Sequence, residues 1–186
     1  MSNWSRRRIL RGVAAAGAFA LAGCLEAPTS NAQPSGPGRQ VKDVDVLFVR
    51  DENCGALFDV EGSTDEWKFE YLTHPLARND VTFRSTPEAE RLRAFVDATD
   101  LDSEAVLLFE RPVSECRRVG LVMVYRNPDH VSAEFCLGER DADGCVGDEE
   151  DTVGIAIRLP FDGDITDSRA YEWGSDCDGK ALLASE

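Results

Sequence analysis

The chain has 186 residues, with 35 Asp and Glu against 20 Lys and Arg and a formal net charge of −15. So acidic a surface repels polyanions, which argues against nucleic acid as a partner. The length suits one domain with a hydrophobic core of its own.

The first predicted element is "SRRRILRGVAAAGAFALAGC", Ser5 to Cys24. Arg6, Arg7, Arg8 and Arg11 make a basic start, Val13 to Ala22 is an Ala-rich apolar run, and small residues then lead to a cysteine. The run falls short of the roughly 20 apolar residues that a lasting bilayer helix needs. This is the plan of a secretory signal. Ser5-Arg6-Arg7-Arg8-Ile9-Leu10-Arg11 resembles a twin-arginine export signal, with Arg6 and Arg7 as its pair. Leu21-Ala22-Gly23-Cys24 resembles a lipobox, which implies a lipid on the Cys24 thiol and cleavage just before it. Residues 1–23 are then a signal peptide and 24–40 a Pro- and Gly-containing tether, too polar to order itself. Residues 41–186 form a single extracytoplasmic domain. Its expected partner is the membrane, through the lipid on Cys24, at the outer face of the cell membrane.

Removing the four leader arginines leaves 16 basic against 35 acidic residues, a net charge of −19. Only Lys42, Lys68 and Lys180 are lysines. At low ionic strength such a chain repels itself, and in molar salt a screening length of about 3 Å removes most of that repulsion. The acidic, lysine-poor composition and the leader together resemble surface lipoproteins of halophilic archaea. An ordinary acidic bacterial lipoprotein is the alternative. The resemblance covers leader and composition, not the globular part.

Within the domain, "VDVLFVR" (Val44–Arg50), "WKFEYL" (Trp67–Leu72) and "DVTFRS" (Asp80–Ser85) read as short strands. "TPEAERLRAFVDATD" then reads as one helix: Thr86 caps it, Pro87 opens it, and Glu88 and Glu90 suit its positive end. Ala89, Leu92, Phe95, Val96 and Thr99 recur at helical spacing as a buried stripe. Strand signals fill the rest, at Glu104–Glu110, Arg118–Arg126, His130–Gly138 and Thr152–Pro160. Asn127-Pro128-Asp129 joins the second and third of these as a hairpin. The predicted fold is mainly β (α+β): an antiparallel β-sandwich or curved sheet carrying one helix.

Six cysteines are present. With Cys24 given to the lipid, five remain, and in an exported domain they suit disulfides. Pairing across the Pro128 turn puts Cys116 opposite about Arg140, so Cys136 stands some four residues, about 13 Å, up the strand. That distance exceeds disulfide reach, so the expected bridge is Cys116–Cys145. Cys54–Cys177 follows only as the remaining pair, with Cys136 as the alternative to either member; otherwise Cys136 is left free, facing outward beside Glu134.

"ERDADGCVGDEE" (Glu139–Glu150) fits an EF-hand-type calcium loop by position. Glu139, Asp141 and Asp143 would give oxygen ligands, Gly144 the sharp turn, Cys145 its carbonyl and Glu150 the bidentate twelfth place. A solvated acidic turn is the competing reading, because the first place holds Glu and a strand rather than a helix precedes it. "FDGD" (Phe161–Asp164) and "DCDG" (Asp176–Gly179) are acidic turns by the same composition. A blue-copper site would need His, Cys and Met in another order, since His74, Met123 and His130 all precede Cys136. No G-x-S-x-G occurs, and carboxylates are too numerous for any pair to stand out. The sequence therefore points to a lipid-anchored binding or envelope-structural module without a catalytic or cofactor motif. A calcium-binding surface protein or a small secreted enzyme is the alternative. A binding surface would draw its aromatic residues from Trp67, Tyr71, Tyr171 and Trp173.

Overall fold

Alternation of apolar and polar residues sets most of the elements. The computed structural model describes residues 38–63, 67–140, 149–161, 167–174, 177 and 183–184, with the backbone alone for 167–174 and 183–184. Strands β1 (Arg39–Gln40), β2 (Asp45–Asp51), β3 (Phe58–Val60), β4 (Lys68–Leu72) and β5 (Val81–Phe83) precede helix α1 (Pro87–Asp97). After the helix come β6 (Ala105–Ser114), β7 (Arg117–Arg126), β8 (His130–Glu139), β9 (Glu150–Leu159), β10 (Asp167–Gly174) and β11 (Leu183–Ala184). One sheet runs β2-β9-β6-β4 and a second β1-β7-β8-β10, with β11 also on β7. A third, small sheet pairs β3 with β5. The fold is mainly β and mostly antiparallel, an open sandwich carrying one main helix, as the alternation predicted. The β8–β10 pair is parallel.

The sheet β2-β9-β6-β4 is apolar on both faces. From β9, Val153, Ile155, Ile157 and Leu159 meet Leu121, Val124, Val131 and Phe135 of the other sheet. The rings of Phe109 and Phe135 stack across this layer at 5.4 Å. On the opposite face Leu57, Phe58, Leu72, Leu92, Val96, Val106, Leu108 and Ala156 form a second core beneath α1 and the small sheet. Residue size sorts the faces of β9. A Cβ on Gly154 would lie 2.5 Å from Leu57 Cδ1 and 2.9 Å from Leu92 Cδ1, so the helix-side layer closes only over a bare backbone.

Helix α1 starts as its sequence implies. Thr86 is extended and its hydroxyl accepts from the Ala89 amide, with Pro87 at the first position. Ala89, Leu92 and Val96 are buried, giving the stripe that seats the helix on the sheet.

Strand β7 departs from a simple reading. Arg117↔Glu139 through Leu121↔Phe135 follow one register, and Met123↔Glu134 through Arg126↔Val131 follow another, with a bulge at Val122. An extra residue reverses which side chains face inward. Val119 and Leu121 are therefore buried before the bulge and Val124 after it, while Met123 and Tyr125 are only half-buried. The apolar residues on both faces of this strand record the bulge as well as its place between β8 and the β1/β11 edge.

The disulfide expectation is corrected. Cys136 bonds Cys177, with Cα atoms 5.1 Å apart, and Cys54 is free and exposed. The hairpin register itself agrees with the sequence reading: Cys136 lies opposite Gly120, and the Arg140 amide donates to the Cys116 carbonyl. The error lay in equating the outer face of β8 with solvent. Cys177 covers it, its Cβ only 3.2 Å from where a Gly138 Cβ would stand, and Cys136 is 1% exposed. Cys54 follows β2 in the other sheet, so the sandwich itself separates it from Cys177. Cys116 is disulfide-bonded; Cys145, its expected partner, lies outside the described residues.

Glu70 is a cost built into β4. Burial raises its pKa first, and the nearby Asp80 carboxylate raises it further, against a smaller lowering by the Tyr71 amide. A carboxyl with a raised folded pKa loses stability as pH climbs from its ordinary value through the shifted one. Glu70→Gln should therefore melt higher than the parent at pH 7, with the advantage shrinking on acidification and gone below about pH 4, under the unfolded value. Melting curves across that range check the sign; an advantage that grew on acidification would refute it.

Candidate functional site

The sandwich has two polar ends, and β2 and β9 run from one to the other. At the first end a cavity of about 670 Å³ is lined by Arg39 to Asp43, Arg126, Pro160 and Phe161. Its wall is built by a crossing: β1 lies on β7, and the chain then passes to the other sheet to begin β2. Val41 and Phe161 pack against the main core, so the floor is apolar. The Val41 amide donates to the Val124 carbonyl, which holds the crossing chain down. Gly38 allows the approach, because a Cβ there would fall 2.6 Å from the Arg126 carbonyl and 2.4 Å from the Asn127 side chain. Asn127 is fixed in turn by the hairpin corner, where its amide bonds the His130 carbonyl and its side chain meets the His130 ring.

Among the described residues the cavity carries Arg39, Lys42 and Arg126 against a single carboxylate, Asp43. None of these three cations forms an ion pair among the described residues, although Arg50, Lys68, Arg78, Arg84, Arg93, Arg140 and Arg158 all do. Arg126 instead lies over the Phe161 ring at 4.3 Å. Arg39 and Arg126 are also direct partners across antiparallel strands. Like charges placed so are destabilising unless something of opposite sign answers them.

The second end is an internal lock. The Arg50 guanidinium donates to Asp151 Oδ2 at 2.5 Å and to the Arg117 carbonyl at 2.5 Å, joining the two sheets. Both partners of this pair are buried, and Arg140 approaches the same Asp151 oxygen at 3.6 Å. Asp51 closes the following turn by accepting from the Asn53 amide at 2.9 Å. Cys54 has a positive φ of 53° and its thiol donates to the Glu150 carbonyl. Apart from the buried Arg50 Nε, which has no hydrogen-bond partner among the described residues, these groups are turned on one another, which is the arrangement of a structural brace.

Of the calcium-loop residues, Glu139 ends β8 and Glu150 begins β9, while Asp141, Asp143 and Cys145 lie outside the described residues. So do Arg6, Arg7 and Cys24. Among the described residues no cluster of His, Cys, Asp and Glu could hold a metal ion. His74 caps the short 3-10 helix Pro75–Asp80 through its ring, and His130 braces the hairpin turn. Tyr71 is buried in the core, so it gives no surface aromatic, whereas Trp67 is 50% exposed with Arg111 over its ring.

No family model, curated protein or solved structure matches this chain.

The cavity is hidden in the sequence because Arg39 and Gln40 read as part of the tether, whereas among the described residues strand pairing begins with them. A signal was available. "GRQVKD", Gly38 to Asp43, is a basic spot in an otherwise acidic domain.

Proposed function

We infer that the chain is a lipid-anchored, extracytoplasmic binding module whose ligand site is the cavity beside β1. The cavity carries this reading: it is roomy, apolar-floored and edged with a few charged groups, as small-ligand sites are. Its wall follows directly on the segment that begins at Cys24. Cys24 stands fourteen positions before Gly38, so even a fully extended chain holds the cavity within about 50 Å of a lipid on that thiol. The Cys136–Cys177 bond supports an oxidising compartment, where such bonds persist. Cys24→Ser should shift the chain from the membrane fraction to the soluble one or block maturation altogether. Mass spectrometry of the native protein that found an intact Met1, or Cys24 without lipid, would overturn the anchoring.

A further inference from the structure

We propose that the cavity beside β1 is an oxyanion site that takes a phosphate-class group, free or on a lipid headgroup. The proposal rests on the cavity being the ligand site and adds the chemistry of what enters it.

The argument is one of charge against context. In a chain with 35 acidic residues, Arg39, Lys42 and Arg126 converge on one cavity and form no ion pair among the described residues. Two of the three face each other across a strand pair, a juxtaposition that costs stability unless an opposite charge answers it. An oxyanion between them would convert the repulsion into two charge-assisted contacts. Arginine suits it, since its planar fork matches the oxygens of phosphate two at a time. The Phe161 ring holds the Arg126 guanidinium by its face, leaving the edge N–H groups free to point at a ligand. Among the described lining residues Asp43, at a positive φ of 59° on the same wall, is the one carboxylate against three cations. The acidic remainder of the surface opposes anion capture at a distance, but salt screens that field more than it screens contacts within the cavity.

The test uses the full chain in vesicles of the phosphate-free lipid digalactosyldiacylglycerol at fixed ionic strength, with the melting temperature as readout, since a ligand of the native state raises it. Inorganic phosphate is added in exchange for sodium chloride in one arm. In the other, phosphatidylglycerol replaces part of the glycolipid. The expected result is a rise in at least one arm that Arg39→Gln with Arg126→Gln shifts to at least tenfold higher ligand. Arg91→Gln, on the exposed side of α1, should respond as the parent does. A rise with phosphate alone assigns a free oxyanion, and a rise with phosphatidylglycerol alone assigns the headgroup. Relief of the like-charge pair should leave the double variant folded; if it does not fold, Lys42→Gln gives the same comparison. No rise in either arm, or equal rises in parent and cavity variants, would overturn the proposal while leaving the lipidation result untouched.

Discussion

Glu110→Ala is expected to destabilise the domain by about 3–5 kcal/mol, the range for removing one member of a buried ion pair. Glu110 is 3% exposed. One carboxylate oxygen accepts from the Leu57 amide at 2.7 Å and the Phe58 amide at 3.0 Å, and the other meets Lys68 Nζ at 3.0 Å. Lys68 also bonds the Phe58 carbonyl and reaches Asp59 at 3.4 Å. The side chain thus ties β6 and β4 to the start of β3, and the small sheet that Phe58 begins hangs on it. Removing it strands two amides and leaves the ammonium only the Phe58 carbonyl and the more distant Asp59. A buried pair can often be exchanged for apolar residues at little cost, but Glu110→Leu with Lys68→Met should not be neutral here, because the two backbone amides remain. Glu110→Gln keeps an acceptor for them and should lose less than Glu110→Ala. Denaturant unfolding at constant salt measures all three; a loss under about 1 kcal/mol for Glu110→Ala would show that water replaces the carboxylate.

What the sequence disclosed depended on how locally each feature is encoded. Helix α1 was fully legible: Thr86, Pro87 and the Ala89, Leu92, Val96 stripe are neighbours in sequence and act as such. Strands β2 and β4 to β9 were legible for the same reason, and "TVGIAIR" reads as a double-faced strand because it lies between two cores. Strands β1, β3, β10 and β11 were not: β1 and β11 are two residues each and exist only by pairing with β7, β3 is three residues long, and β10 pairs parallel to β8 with a break in its register. Glu110 and Lys68 were invisible as a pair because 42 residues separate them and both read as ordinary strand-end charges. The cavity was hidden in the same way: its cations come from β1, from the crossing chain and from the far end of β7. Their opposition becomes visible only with the register.

The Cys136–Cys177 bond should be the other large contributor to stability. It closes a loop of 41 residues, and in the chain-entropy account that constraint on the unfolded state is worth about 4 kcal/mol. The native state gains cover as well, because Cys177 is 4% exposed and shields the outer face of β8 at Cys136 and Gly138. Cys136→Ala and Cys177→Ala should each lose that full amount, and the double variant should lose no more than either, since both remove one bond. Cys54→Ala should stay within about 0.5 kcal/mol of the parent, its thiol being free and at the surface. Non-reducing peptide mapping should join the segment of Cys136 to that of Cys177. A peptide linking Cys54 to Cys177, with Cys54→Ala as damaging as Cys136→Ala, would reverse the pairing. It would also leave the outer face of β8 open, so hydrogen exchange at Cys136 and Leu137 separates the two cases again: slow with the bond as found, fast without it.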